Sequence, residues 1–309
     1  MSTEPVTVAA SSDGVRVVVH HLGPTSGAGT GSPPPTGPTV LAAHATGFCG
    51  PVWGPFAERL ASTIDATVVA PDLRGHGETV LPDGVVLDWD GFADDVLATV
   101  DALGLEGVVG VGHSKGGAAL LRAEARRPGT FAALWCFEPV VFPLEYATGR
   151  YEDNPLAAGA LRRRDVFPSR AEAEANYAAK PPLGAFDVRV RAAYVAGGFV
   201  PVDAADPDGS VRLRCRPEIE AETYRMGTAH NTFGFLTEVR CPVAIAAGGP
   251  QPPGPGNFAP AIADALPNAR LVAYPDLGHF GPLTDPDRIA DDVAAFLTDV
   301  GLASDPTRG

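Results

Sequence analysis

A serine between two glycines, at the point where an apolar run gives way to a helix-forming run, most constrains how this chain can fold. The run 108–111 is apolar, and the residues from Gly117 onward favour a helix. Between them lies Gly112-His113-Ser114-Lys115-Gly116, which has the pattern G-x-S-x-G. A strand, a sharp turn through a serine and a helix together make a nucleophile elbow. Glycines suit this turn because side chains there would meet the neighbouring strand or helix.

A serine hydroxyl becomes a good nucleophile only when a nearby base takes its proton. Among the 7 histidines, His279 is best placed for this work. It follows the strand-like run 270–274 and precedes the helix-like run 287–300. A loop at this position would carry the imidazole over the carboxyl edge of a parallel sheet. We therefore predict that His279 is the base for Ser114, the alternative being a histidine in a surface loop.

A carboxylate must orient the imidazole and stabilise its protonated form. The usual position is the loop after the strand that precedes the histidine loop, but residues 248–258 contain no Asp or Glu. The strand-like run after the elbow helix ends in Glu138, 24 residues after Ser114. The order Ser114, Glu138, His279 keeps the chain order nucleophile, acid, base. We predict Glu138 as the acid; the alternative is a glutamate that only braces the strand end.

An oxyanion hole needs two backbone N–H groups. One follows the nucleophile and belongs to Lys115, and the other is expected in the loop after the strand 39–43. Thr46 is the predicted second donor, with Ala45 and Gly47 as neighbouring alternatives. His44 is expected to brace this loop by hydrogen bonds.

Alternating strand-like and helix-like runs predict an α/β fold with a doubly wound, mostly parallel sheet. The active site of such a sheet lies beyond the carboxyl ends of its strands. Between Glu138 and Cys241 the alternation stops, no buried strand is evident, and four helix-like patches follow. We predict a core of residues 1–141 and 238–309 and a helical cap of residues 142–237. The Gly/Pro-rich run 23–38 is predicted to be a long mobile loop. Strands are predicted at 15–20, 39–43, 67–71, 108–112, 132–137, 242–247 and 270–274, core helices at 54–64, 90–103, 116–127, 258–266 and 287–300, and cap helices at 155–164, 169–179, 186–197 and 217–227.

Aromatic and histidine side chains near the elbow and in the cap are the candidates for substrate contact, although simple packing is the more common role for any one such residue. The arginine clusters 162–164 and 212–216 could hold an anionic group of a substrate, or they could form local ion pairs on a solvated face. The predicted substrate-binding residues are Phe48, His113, Phe142, Tyr194, Phe199 and His230.

These motifs together resemble the α/β-hydrolase fold superfamily. The matching segments are 44–48, 72–77, 112–117 and 277–283. The resemblance implies that Arg74 and His76 hold loops near the site. The first segment begins His-Ala where the superfamily more often has His-Gly. An acid one strand early resembles a minority of members, some lactonases and acyl-thioester hydrolases among them. The serine argues against the superfamily's haloalkane dehalogenases and epoxide hydrolases, which use an aspartate.

Charge and composition limit the partners and the compartment. A net charge of −14 makes duplex nucleic acid an unsuitable partner, because phosphates bind basic surfaces. There is no run of 18 apolar residues and no secretory leader, so we expect no membrane span and a cytoplasmic location. The four cysteines show no C-x-x-C pair. We expect no metal or cofactor, a small-molecule substrate with a hydrophobic body, and either a monomer or a homodimer.

The predicted reaction is hydrolysis of a carboxylic ester or lactone through an acyl-enzyme on Ser114. The same triad could instead cleave an acyl-CoA thioester or a carbon–carbon bond. Two other classes stay open: a lyase in which His279 is the base, and a hydrolase-like protein that only binds a ligand.

Overall fold

One mixed sheet of eight strands organises the chain. The computed structural model describes residues 6–23, 36–249 and 254–304. The strands are β1 (Val6–Ala10), β2 (Arg16–Leu22), β3 (Thr39–Ala43), β4 (Thr67–Pro71), β5 (Val108–His113), β6 (Phe131–Phe137), β7 (Val166–Phe167), β8 (Phe199–Pro201), β9 (Val211–Leu213), β10 (Val243–Gly248) and β11 (Ala269–Tyr274). The large sheet has the order β1-β2-β4-β3-β5-β6-β10-β11. Within this order, neighbouring strands from β4 to β11 are parallel. Strand β2 pairs antiparallel with both β1 and β4.

Helices cover both faces of this sheet, as the continuous apolar strands require. All six residues of β5 are buried, so neither face of the central strand meets solvent. The helices are α1 (Gly54–Ile64), α2 (Trp89–Ala102), α3 (Lys115–Arg126), α4 (Pro155–Leu161), α5 (Arg170–Ala178), α6 (Val188–Gly197), α7 (Pro217–Arg225), α8 (Ala259–Ala265), α9 (Gly281–Thr284) and α10 (Pro286–Asp299). Two clusters of buried apolar side chains, one on each face, form the core. The predicted fold class is confirmed.

The segment between β6 and β10, called the insertion below, connects two neighbouring strands of the sheet. It contains α4 to α7, close to the four predicted helical patches. It also contains a three-stranded antiparallel sheet in the order β7-β9-β8, which was not predicted from the sequence. These strands have only two or three residues each, too few for a repeating pattern to show in the sequence.

Two other segments differ from the predictions. The edge strand β1 was not predicted, because it is short and weakly apolar and its residues alternate between exposed and more buried positions. The predicted mobile loop 23–38 falls largely outside the described residues. Within the described part of the chain, no helix is long and apolar enough to cross a membrane.

Candidate active site

Ser114 lies in a strained turn between β5 and α3. Its backbone has φ 55° and ψ −115°, and its N–H donates to the carbonyl of Phe137 at 2.9 Å. Positive φ is uncommon outside glycine and is maintained only by surrounding structure. The flanking glycines allow this approach: a Cβ on Gly116 would lie 2.1 Å from the Ala43 carbonyl oxygen, and one on Gly112 would lie 2.6 Å from the Gly117 Cα. The geometry is that of a nucleophile elbow.

Glu138 and His279 meet beside this turn. His279 Nδ1 donates to Glu138 Oε2 at 2.6 Å, and the N–H of Gly248 donates to Glu138 Oε1 at 2.9 Å. The Glu138 carboxylate is buried, and its backbone also has a positive φ, 43°. With Nδ1 carrying a proton, the neutral ring has its basic nitrogen at Nε2. The arrangement therefore suits an imidazole that accepts a proton at Nε2.

His113, which precedes the serine, contacts the backbone of the candidate base. Its Nε2 donates to the carbonyl of His279 at 2.7 Å, and the two rings lie 5.0 Å apart between centroids. Burial lowers the pKa of His113 well below the usual histidine value, and the neighbouring His279 lowers it further. A neutral His113 thus holds the loop that carries His279.

The loop after β3 lies next to the elbow and includes Thr46, which lines the same cavity as Ser114. His44 braces it: Nδ1 donates to the Ala45 carbonyl at 2.8 Å, and Nε2 accepts from the Leu73 N–H at 3.0 Å. Burial lowers the pKa of His44, and the charge of Lys115 lowers it further. Gly47 follows with φ +82°, a conformation that favours glycine. Thr46 is thus held in a loop of defined shape.

The side chain of Lys115 is completely buried beneath the elbow. Its Nζ lies 3.3 Å from both ring nitrogens of His76 and 4.7 Å from the centroid of Phe92. Among the described residues no carboxylate forms an ion pair with it. Burial lowers the pKa of Lys115 to about 7. Arg74 from the same 72–77 segment pairs instead with buried Asp95, Nη2 to Oδ1 at 2.9 Å.

A cavity of about 720 Å³ opens over the three predicted catalytic side chains. Of the predicted substrate-binding residues, only Phe142 is among the described residues that line the cavity. The rest of the wall includes other residues of the insertion, one residue of α2 and residues of the loop after β10. Glu138 and His279 are its only charged or histidine side chains among the described residues; it has no Lys or Arg. The lining residues are Thr46, Trp89, Ser114, Glu138, Val140, Phe142, Tyr151, Asn154, Leu156, Thr223, Tyr224, Gly227, Thr228, Gly248, Gly249, Gly254, Pro255, Gly256, Asn257, Phe258 and His279.

The other predicted substrate-binding residues lie elsewhere. Phe48 is buried against Tyr194, with ring centroids 5.2 Å apart, and Phe199 is buried among Phe167 and the same tyrosine. His113 is behind the His279 loop. His230 stacks on Trp89 at 4.1 Å and lines a second cavity. These aromatic groups fill the space between the insertion and the core, which leaves them no face toward the larger cavity.

The two arginine clusters take part in local interactions. Arg163 forms an ion pair with Glu220, and Arg164 lies 4.5 Å from the Phe167 ring centroid. Arg212 and Arg216 both pair with Asp165, at 3.8 and 3.3 Å, and Arg214 pairs with Glu78 at 3.3 Å. None of these arginines lines the larger cavity among the described residues.

Comparison with known proteins places this geometry in a family. The alpha/beta hydrolase family matches residues 40–292. The chain belongs to the alpha/beta hydrolase family. The bifunctional esterase/perhydrolase DCH of Acinetobacter calcoaceticus is 30% identical over 242 residues, covering 74% of this chain and 81% of that protein. A non-heme chloroperoxidase of Streptomyces lividans is 28% identical over 232 residues, with the same two coverages.

The solved structures agree on the fold of this hydrolase. E-2-(acetamidomethylene)succinate hydrolase superposes with a TM-score of 0.76 at 20% identity, covering 96% of this chain and 99% of the other. The esterase RhEst1 of Rhodococcus sp. ECU1013 superposes with a TM-score of 0.69 at 19% identity, covering 96% and 99%. At such identities the likeness concerns the fold alone.

Several cavity residues of this hydrolase were not foreseen. Trp89 begins α2, and the structure brings it to the cavity through a hydrogen bond from its Nε1 to the Met226 carbonyl at 2.8 Å. Tyr151 and Asn154 lie just before α4, and Leu156 lies in its first turn. Tyr224 was weighed with the other aromatic side chains of the insertion but was not selected as a substrate-binding residue. No local pattern separates an aromatic side chain that lines a cavity from one that packs beneath it, so only tertiary structure could select them.

Proposed function

We propose that this protein is a serine hydrolase that cleaves neutral carboxylic esters or lactones through an acyl-enzyme on Ser114. The carrying observation is the 2.6 Å contact of Glu138 with His279, beside an elbow serine, in a cavity whose described lining residues include no Lys or Arg. Glu138 takes the role of the acid and His279 that of the base. The backbone N–H groups of Lys115 and Thr46 form the oxyanion hole.

In the proposed reaction, Ser114 Oγ attacks the substrate carbonyl carbon while His279 Nε2 takes the hydroxyl proton. The new C–O bond leaves a negative charge on the carbonyl oxygen, which the two N–H groups stabilise. Collapse of this intermediate breaks the bond to the leaving alcohol, which receives the proton from His279. Water then attacks the acyl-enzyme with His279 as base, releasing the carboxylic acid and restoring Ser114.

The preference for a neutral, largely apolar substrate rests on the cavity wall. Several of its polar groups already have protein partners: Asn154 Nδ2 donates to the Tyr224 carbonyl at 2.9 Å, and Thr228 Oγ1 donates to the Gly149 carbonyl at 2.7 Å. The Trp89 indole N–H is bound in the same way. An anionic group would lose its water here without gaining a cation, at a large cost. We also propose that the insertion acts as a cap that shapes this cavity.

The first test compares wild type with Ser114→Ala on a panel of p-nitrophenyl esters, lactones and acyl-CoA thioesters. We expect turnover of the neutral esters or lactones, falling to background in the variant. Equal turnover by both proteins would contradict the proposal. Thioester turnover comparable with that of the neutral esters would contradict the substrate class alone.

The acid is tested by Glu138→Gln, which keeps the shape of the side chain and removes its charge. We expect a loss of about 10³–10⁴-fold in kcat, as for other triads that lose the acid. Glu145→Gln, at an exposed glutamate of the insertion, is the matched control. Turnover by Glu138→Gln within threefold of the control (about 0.65 kcal/mol in barrier) would remove Glu138 from the triad.

The lyase reading makes a different prediction on the same protein. A lyase that uses His279 as base forms no bond to Ser114. We expect mass spectrometry of the enzyme, quenched during ester turnover, to show an added acyl group on the peptide containing Ser114. Full product formation with no adduct, even when a fluorophosphonate is offered, would favour the lyase.

A further inference from the structure

The loop that carries the proposed oxyanion donor Thr46 is in direct contact with a carboxylate of the insertion. A Cβ built on Gly47 would lie 3.0 Å from Glu220 Oε1, so the carboxylate rests against the backbone at Gly47. Glu220 belongs to α7 and is only 5% exposed. A buried carboxylate in this position is costly unless it is paired. Its contact with the loop therefore depends on its partner.

That partner is Arg163, which follows α4. Its Nη1 forms an ion pair with Glu220 Oε2, and its Nη2 donates to the hydroxyls of Tyr194 at 2.8 Å and Tyr177 at 3.3 Å. The ring of Tyr194 packs on Phe48, the residue after Gly47, at 5.2 Å between centroids. The Arg163 guanidinium thus binds both Glu220 and Tyr194. These two side chains lie against Gly47 and Phe48, which are consecutive residues of the loop.

A third contact comes from Cys215, two residues before α7. Burial raises the pKa of its thiol to about 12, and the N–H of Gly47 acts in the opposite direction by pointing at the sulfur. The thiol is 4% exposed. The insertion therefore contacts Gly47 at both its N–H and its Cα, immediately after the Thr46 donor.

We infer that Glu220 and Arg163 are positioning residues for the oxyanion hole, holding the Thr46 N–H where the substrate oxygen becomes charged. This inference rests on the proposed function. Neither side chain lines the cavity among the described residues, so both act through the loop. Oxyanion stabilisation requires donors already fixed at the position of the transition-state oxygen. A displacement of the order of 1 Å can cost about a hundredfold in rate.

An effect of charge and an effect of loop position predict opposite changes in rate for Glu220→Gln. Removing the negative charge leaves the Arg163 cation near the oxyanion, which would raise the rate if long-range charge dominated. Loosening the loop would lower the rate. We expect a decrease in kcat of about tenfold to thirtyfold, because a neutral amide pairs less tightly with a guanidinium than a carboxylate does.

The chain offers a matched control on the same helix. Glu222 also lies on α7 and also pairs with an arginine, Arg150, whereas the carboxylate that lies against Gly47 is that of Glu220. Glu222→Gln therefore carries the same chemical change two residues away. Both variants are normalised by titration of active sites with a fluorophosphonate, and their folding is checked by circular dichroism.

The decisive readout is the affinity for a trifluoromethyl ketone relative to the matching methyl ketone. The fluorinated compound adds to Ser114 Oγ and creates the oxyanion, whereas the methyl ketone mainly occupies the cavity. For Glu220→Gln we expect the inhibition constant of the first to rise with the loss in kcat. That of the second and KM should change less than threefold (about 0.65 kcal/mol). A structural defect alone would move both inhibitors together and would overturn the inference.

Arg163→Lys provides a second variant that keeps the charge and removes the fork that reaches both tyrosines. We expect the same selective loss of trifluoromethyl ketone affinity. If Ser114→Ala abolishes turnover while Glu220→Gln and Arg163→Lys both match Glu222→Gln, this inference is wrong and the proposed function stands. If Ser114→Ala retains turnover, the proposed function fails, and the inference fails with it.

Discussion

The ammonium group of Lys115 lies in surroundings that stabilise a charge poorly. Its contacts are the rings of His76 and Phe92, and its side chain has no exposed surface. An ammonium without a carboxylate partner loses more hydration than the rings return. The residue lies directly after the elbow serine, and its backbone N–H is one of the two donors in the proposed oxyanion hole. The side chain at this position is therefore a cost in stability, separate from the use of its backbone.

We expect Lys115→Met to stabilise the protein at pH 7 by about 2–4 kcal/mol, because the folded-state pKa near 7 lies far below the ordinary lysine value of about 10.4. Between these two values the unfolded chain holds more protons, so the wild type gains stability as pH rises. The advantage of the variant should therefore shrink from pH 7 to pH 10.

Urea denaturation at both pH values measures this difference. Lys180→Met, at an exposed lysine, is the control and should change stability by less than about 0.5 kcal/mol. An advantage of Lys115→Met that is equal at pH 7 and pH 10 would show that the burial of charge is not its cause.

At the level of single residues, local motifs in the sequence identified candidate catalytic residues more readily than they identified residues that line the cavity. Ser114 and His279 follow from local motifs, and Glu138 followed because the usual loop has no acid. The structure brings Glu138 and His279 into contact. The catalytic roles of these two residues and of Ser114 are proposals. Phe48, Tyr194 and Phe199 were selected for the same apolar character that made them pack inside. Side-chain character alone does not state which face of a segment meets the cavity.

At the junction of β3, β5 and α3 the backbones of neighbouring elements lie very close together. A Cβ on Gly116 would lie 2.1 Å from the carbonyl of Ala43, a backbone atom that cannot move without its strand. A Cβ on Gly117 would lie 3.1 Å from the Cβ of Pro139 and 3.4 Å from both the Cβ of Cys136 and the Gly112 carbonyl oxygen. These adjacent glycines therefore differ sharply in the space available to a side chain.

We expect Gly116→Ala to lower the free energy of unfolding by about 3 kcal/mol or more, and Gly117→Ala by about 1 kcal/mol or less, since overpacking typically costs 1–3 kcal/mol. Activity should fall with Gly116→Ala, because the helix that carries the proposed Lys115 donor must shift. Chemical denaturation and ester turnover measure the two effects. Equal losses in both variants would contradict the argument from the Ala43 contact.

At the level of elements, the large sheet was predictable and the small one was not. The central strands are buried on both faces, so each leaves a continuous apolar run in the sequence. The strands of the insertion are short, and β9 alternates buried and exposed residues over only three positions. Helices α4 to α7 left amphipathic patches long enough to recognise. What the sequence could not supply was the packing of these helices over the sheet, which depends on contacts between distant segments.

Across the whole molecule, the net charge of −14 acts in the same direction as the cavity, which has no Lys or Arg among its described lining residues. A negative protein repels anions as they approach, and this repulsion is screened as ionic strength rises. We expect a p-nitrophenyl monoester of a dicarboxylic acid to have a kcat/KM about tenfold or more below that of a neutral ester of equal length. Salt should raise the value for the anion several-fold and barely change it for the neutral ester.

Rates at low and high salt, with spontaneous hydrolysis of both esters as the control, measure the effect. An anionic ester that is turned over as fast as the neutral one at low salt would contradict the proposed substrate preference. That result would instead favour binding of the anionic group by the arginine clusters of the insertion.

The placement of Glu138 on the strand next to the serine's strand has a consequence for how the site is assembled. Ser114 and Glu138 are separated by a single helix and strand, whereas His279 is 141 residues beyond Glu138. Short chain segments close at a small entropic cost, and long ones form contacts later. On the proposed assignment, a growing chain has its nucleophile and acid early and its base only 141 residues after the acid. A chain that has not yet reached β11 and the His279 loop therefore lacks the proposed base, and the proposed activity begins only when both join the sheet.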